Sequence, residues 1–238
     1  MNTTVADPPC ENCHKRLELC VCADIKQQSP RTRVVILQHP QEPDKDLGSA
    51  RIAQLALKGA DLRVGLSWPN LKKAIDGKAA APSADVPRND RWAVLYLGSG
   101  IKQASKPAPG LHFVTKTGAP VPTRPEQVGK ALPPLDGLIV LDGTWSQAKT
   151  LWWRNAWLLK LRRAILVPKQ PSLYKELRRE PRRECLSTIE TIAEALDGLG
   201  ENPAVSAELR RTFARLLERQ RERLASRRKR APQPASTS

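Results

Sequence analysis

No stretch of the 238-residue sequence approaches eighteen consecutive apolar residues, so no segment reads as a membrane-spanning helix. The amino terminus, Met1 to Pro9, has neither a basic head nor an apolar stretch, and it does not read as a secretory signal. A cytoplasmic location follows as the expectation, with thiols kept reduced. No internal repeat is visible. Glycine is scarce beside proline, thirteen against twenty-one, which predicts many stiff connections between short elements. The length suits one domain with appendages or at most two, and 40% hydrophobic residues suffice for a packed core.

Acidic residues are outnumbered, and the net charge is +16. The excess sits in two segments. Lys149 to Arg183 carries eleven Lys/Arg against Glu176 and Glu180, and Ala204 to Ser238 carries ten against Glu208, Glu218 and Glu222. The rest of the chain is neutral. Charge confined in this way suggests a footprint for a polyanion, with solvated helix faces as the alternative. An anionic membrane surface fits less well, because neither segment interleaves its charges with a continuous apolar face.

Along the chain, a cysteine-rich head of about thirty residues is followed by the apolar run Arg33 to Gln38, which reads as a buried strand stopped by His39-Pro40. Ser49 is placed to cap a helix carrying Ile52, Leu55, Ala56 and Leu57. Residues 69 to 90 read as loop. Further strands are predicted at Trp92 to Leu97, Leu111 to Val114, Leu138 to Leu141 and Ala164 to Val167. A helix with Trp145, Ala148, Leu151 or Trp152, and Ala156 at helical spacing follows the Leu138 strand. Ser187-Thr-Ile-Glu190 has capping-box spacing for another helix, ending at Gly198 or Gly200. Asn202-Pro203 opens a long basic helix that frays into Arg227 to Arg230 and a disordered tail. Apolar strands alternating with helices predict an α/β fold, a parallel sheet with helices on both faces. Ligands of such sheets gather at the carboxyl ends of strands, near His39, Gly98, Asp142 and Pro168. The expected organisation is a head at 1–30, a core domain at 31–200, and a basic helix and tail at 201–238.

The sharpest local signal is Cys10-x2-Cys13-x6-Cys20-x-Cys22, the ligand set of a tetrahedral Zn2+ site. Four thiolates fill the coordination sphere, so the expected role is structural. Cys185 stands alone and reads as a buried thiol.

Leu138-Ile-Val-Leu-Asp-Gly-Thr-Trp145 puts a carboxylate where a hydrophobic strand ends. Gly143 permits a tight turn, and Thr144 leaves amide donors at the start of the next helix. Alone, Asp142 reads equally as a helix N-cap or a catalytic group. Trp145 on its own reads as helix–sheet core. Trp152, Trp153 and Trp157 alternate with Lys149, Arg154 and Lys160, a mixture that suits an unstacked RNA loop. Trp152 fits the core, and one of the adjacent pair Trp152 and Trp153 is expected to be exposed.

Asp142-Gly-Thr-Trp145 with Ala148-Lys149, preceded by the cysteine head and His39-Pro40-x-Glu42, resembles the DTW-domain proteins. Leu186-Ser-Thr-Ile-Glu190, after Tyr174-x3-Arg178-x2-Pro181, resembles the family's carboxyl-terminal signature. The likeness runs from about Cys10 to Leu199. A lone D-x-T-W is a weak signal, and the ordered set is a strong one. It implies a SPOUT-like, knotted fold that binds S-adenosylmethionine and transfers its 3-amino-3-carboxypropyl group to N3 of a uridine in tRNA. On this resemblance Asp142, Thr144 and Trp145 are the candidate catalytic residues, Asp142 as general base for uridine N3 or as electrostatic partner of the sulfonium, and Trp145 as a surface for adenine or the target base. Leu97, Gly98, Leu141, Gly143, Ser187 and Thr188 are candidate cofactor contacts, although Ser187 and Thr188 read equally as caps. Lys149, Trp153, Arg154, Arg178 and Arg182 are candidate RNA contacts. SPOUT proteins are often dimers, so a homodimer is an expectation by analogy of fold. Two rivals stand beside this reading: a SPOUT-type RNA methyltransferase, and a non-catalytic zinc-containing RNA-binding module.

Overall fold

The computed structural model describes residues 8–42, 45–76, 87–95, 108–121, 134–174, 177 and 186–230. Its β-branched and leucine-rich runs form six strands, β1 (Arg33–Gln38), β2 (Asp61–Val64), β3 (Trp92–Leu95), β4 (Gly110–Val114), β5 (Gly137–Asp142) and β6 (Arg162–Val167). They make one sheet in the order β2-β1-β5-β3-β6-β4, with every pairing parallel except β4 with β6. The helices are α1 (Ala50–Ala56), α2 (Leu71–Asp76), α3 (Trp145–Arg154), α4 (Thr188–Gly198) and α5 (Pro203–Arg230).

Side chains of a strand alternate between faces, so a strand buried on both must be apolar throughout. On β5, Leu138 and Val140 join one core and Ile139 and Leu141 the other; on β1, Val34 and Ile36 oppose Val35 and Leu37 in the same way. The first core is closed by α1, α4 and α5 and also contains Cys13, Leu19 and Val21 of the amino-terminal head. The second is closed by α2, α3 and the single-turn segment Ala156–Lys160.

Several elements differ from the sequence reading. β2 is a strand of alternating Asp61-Leu-Arg-Val64 at the sheet edge, where no continuous apolar run is needed. Residues 71–76, expected as loop, form α2, whose Leu71, Ala74 and Ile75 are buried. Ser49 precedes α1 but does not cap it; its hydroxyl accepts instead from the Ile189 N–H at 3.2 Å, tying the starts of α1 and α4 together. The predicted extension of α3 to Ala156 stops at Arg154, because Asn155 turns its amide back. Asn155 Nδ2 donates to the Leu151 carbonyl at 2.8 Å and its Oδ1 accepts from Trp68 N at 2.8 Å. α5 begins at Pro203 as the sequence suggests, and its Val205, Leu209, Phe213, Leu216 and Leu217 are core residues.

Candidate active site and metal centre

β1 and β5 lie side by side in a register that pairs Gln38 with Asp142 at their carboxyl ends. Gln38 Nε2 donates to Asp142 Oδ2 at 2.8 Å. The hydroxyl of Thr188, the first residue of α4, donates to Oδ1. The His39 N–H donates to the Asp142 carbonyl at 3.1 Å. Asp142 is 8% exposed, and a carboxylate so buried needs bonded partners. Here two elements far apart in sequence supply uncharged donors to its two oxygens, fixing the plane of the group.

The N-cap reading of Asp142 is overturned. Thr144 caps α3 in a capping box: its hydroxyl accepts from Gln147 N at 3.4 Å, and its own N–H donates to Gln147 Oε1 at 2.6 Å. Gly143 makes this possible. With φ at +149° it occupies a region that favours glycine, and a Cβ there would come 2.9 Å from Gln147 Cβ. The turn it allows places the cap two residues beyond the strand end, leaving Asp142 outside the helix.

The other predicted residues divide. Ser187 N-caps α4: its hydroxyl donates to Glu190 Oε2 at 2.6 Å and accepts from Glu190 N at 3.3 Å. Thr188 reaches Asp142. Leu141 packs its side chain in the α3-side core. Trp145 is no core residue: it opens α3 and is 53% exposed. Trp152 is buried with the Arg163 guanidinium 5.4 Å from its ring centroid, while Trp153 is 75% exposed. Lys149 and Arg154 are exposed. Leu97, Gly98, Arg178, Arg182 and Cys185 lie outside the described residues.

Sequence reasoning missed two residues of this site. Gln38 was read as the end of an apolar strand, and only the parallel register with β5 reveals that it holds Asp142. Glu190 was read as half of a capping box. It also accepts from Ser172 Oγ at 2.7 Å and Leu173 N at 2.6 Å, so it fastens the segment after β6 to the start of α4.

The four cysteines converge. The Sγ atoms of Cys10, Cys13, Cys20 and Cys22 all lie within 4.8 Å of one another, and Cys10 to Cys22 is 3.8 Å. A tetrahedral ion with sulfur at about 2.3 Å needs sulfur–sulfur edges of about 3.8 Å, so the cluster has the dimensions of a metal site. The thiols are unequal: the backbone N–H of Cys13 leads in lowering Cys10 to about 6, whereas burial pushes Cys13 and Cys22 up. Thiolates crowded and buried in this way repel one another, and a cation at their centre relieves both penalties.

Residues 7–221 match the DTW domain. The tRNA-uridine aminocarboxypropyltransferase 2 of Drosophila melanogaster is 29% identical over 221 residues, covering 89% of this chain and 75% of that protein. The mouse protein of the same name is 24% identical over 211 residues, covering 88% of this chain. The chain spans 62% of that mouse protein's length, less than two thirds. No solved structure matches. With Asp142-Gly-Thr-Trp145 at the strand end and the match running through nearly the whole chain, the protein belongs to the DTW domain family.

Proposed function

We propose that this protein transfers the 3-amino-3-carboxypropyl group of S-adenosylmethionine to N3 of a uridine in tRNA. One observation carries the reading: Asp142 is a buried carboxylate at the carboxyl end of the central strand, held on both oxygens and released from any capping duty. A non-catalytic RNA-binding module has no use for such a group. The names of the relatives point to the same transfer. When bound, the donor supplies a carbon activated by its sulfonium; the N3–C bond forms as the C–S bond breaks, and methylthioadenosine leaves. A carboxylate at the carboxyl end of a parallel strand suits a cationic donor. Asp142 acts on the base. Uracil N3 attacks well only after losing its proton, and a carboxylate held at a strand end is placed to take it. Selecting the aminocarboxypropyl carbon over the methyl carbon is a matter of positioning, since one sulfonium activates both.

The same reading includes a structural Zn2+ on the four cysteines, tRNA contacts on the basic surfaces, a cytoplasmic location, a homodimer and a SPOUT-like arrangement. A mostly parallel sheet with α4 returning to the end of β5 is compatible with that arrangement, and no described helix is long and apolar enough to cross a membrane.

The test is Asp142→Asn, assayed by mass spectrometry of the spent donor. Gln38 and Thr188 can each turn an oxygen toward the new amide, so the fold is spared. Transfer is expected to fall by roughly a hundredfold or more, as when a general base is lost. Raising the pH then restores part of the rate, because more uracil ionises unaided. Near-wild-type transfer at neutral pH would sink the role of Asp142. Release of S-adenosylhomocysteine by the wild type would show a methyltransferase instead.

A further inference from the structure

We propose that the outer face of α3 is a stacking platform for an unpaired stretch of RNA about three nucleotides long, adjoining the strand-end site. The inference rests on the transferase reading for the identity of that site, but the platform stands on its own observations.

Trp145, Lys149 and Trp153 are spaced i, i+4, i+8, so they line one side of the helix, and all three are exposed. Trp153 is 75% exposed and Trp145 53%. Indoles are large apolar groups that burial favours, and two on one helix face of a soluble domain mark a surface that is covered in use. The other indoles of this region are accommodated by the protein. Trp157 donates its Nε1–H to the Trp68 carbonyl at 2.9 Å, and Trp152 is buried beneath Arg163. Neither the Trp145 nor the Trp153 indole has a hydrogen-bond partner among the described residues.

The occupant is identified by charge and by ring chemistry. The sequence of α3, Trp-Ser-Gln-Ala-Lys-Thr-Leu-Trp-Trp-Arg, contains no acid, and Lys149, Arg154 and Lys160 are exposed in and just after it. Cations between aromatic faces suit phosphates between bases. A duplex hides its base faces, so only an unpaired strand uses the rings. At 1.5 Å per residue the two rings are about 12 Å apart along the axis. That distance spans about three nucleotides even at the roughly 3.4 Å rise of stacked bases, and fewer in an extended strand. Trp145 lies three residues beyond Asp142, so the strand runs away from the site along the helix. The helix itself is fixed from behind by Ala148, Leu151 and Trp152, and at its end by Asn155, so the platform is preorganised.

The experiment measures binding of an unmodified tRNA transcript, a single-stranded oligonucleotide and a fully paired RNA duplex to Trp153→Ala, Trp153→Leu and Trp153→Phe. Thermal melts of each variant verify the fold. Loss of one stacked base predicts roughly ten- to a hundredfold weaker binding of tRNA and oligonucleotide by the Ala and Leu variants. The Phe variant is expected to keep most of the affinity, and duplex binding should not change. Equal behaviour of Leu and Phe, an equal loss on duplex, or unchanged affinity throughout overturns the platform. So does a change of oligomeric state on mutation with RNA affinity intact, which would make the face a contact between two copies. Failure of the transferase reading is separately visible as a wild-type protein that binds tRNA but releases no methylthioadenosine.

Discussion

Arg219 of α5 reaches back to Asp24 at 2.7 Å, and Arg223 is bonded to Asp46 at 2.7 Å and paired with Glu18. Lys149 and Arg154 of α3 form no ion pair among the described residues and stand in solvent. The described cations of α3 and those of α5 therefore use their charge differently. In α5, Arg210, Arg211 and Arg215 are also paired, with Asp197, Glu208 and Glu218. Asp24 and Glu18 belong to the cysteine-rich head, so Arg219 and Arg223 strap that head to α5. Counting charge along the sequence cannot distinguish a cation offered to a polyanion from one already spent on a neighbouring acid.

The largest effect should come from the head itself. If zinc holds the four cysteines, stripping it or making Cys20→Ser frees the anchor of α5 and costs several kcal/mol, a fall in Tm of roughly 10 °C. Metal analysis should give about one ion per chain, and equal stability of a metal-free preparation would refute the assignment. Next is Arg223→Ala. Its side chain is 7% exposed while its partners remain partly in water, so the loss is expected at about 1–3 kcal/mol, below that of a fully buried pair. RNA affinity should stay within about twofold. A large loss of affinity with unchanged Tm would erase the distinction between the segments.

Lys149→Ala and Arg154→Ala should behave in the opposite way. Each is expected to leave Tm within about a degree and to reduce the salt slope of single-strand binding by about 0.7. An unchanged slope for both would place the polyanion elsewhere. The smallest effect is acid sensitivity at the start of α5. For Glu201 and Glu208 burial acts to raise the pKa, but hydrogen bonds outweigh it. Thr32 and the Arg31 N–H bond Glu201, Arg211 and the Lys26 N–H bond Glu208, and both carboxyls fall below the ordinary 4.5. A depressed pKa stabilises the fold above that ordinary value, and the contribution is lost as pH falls through the native one. Amide exchange should show α5 losing protection below about pH 4, and Glu201→Gln should flatten that limb.

The strands β1, β3 and β5 were legible because burial on both faces demands an unbroken apolar run; β6 was legible from Ala164 to Val167, although only Ala164 and Ile165 of it are buried. β2 was not, since an edge strand can carry Asp61 and Arg63. The cysteine cluster was legible from spacing alone, and its dimensions agree. Asp142 was legible as a strand-end carboxylate. Its freedom from capping was not, because Thr144 and Asp142 are both competent caps and only the turn at Gly143 decides between them. Gln38 was invisible, since its role depends on which strand lies next to β1.

The bonds that hold Asp142 span sequence separations of 104 residues to Gln38 and 46 to Thr188. Loop closure makes such non-local contacts slow to form. On a ribosome the strand carrying Asp142 emerges well before the helix that steadies it, so a nascent chain ending short of Thr188 lacks one of the two clamps. Completion of the Asp142 site is thereby deferred until the chain has been made as far as Thr188. Truncations from the carboxyl end should lose an ordered Asp142 before they lose β1, β3 and β5.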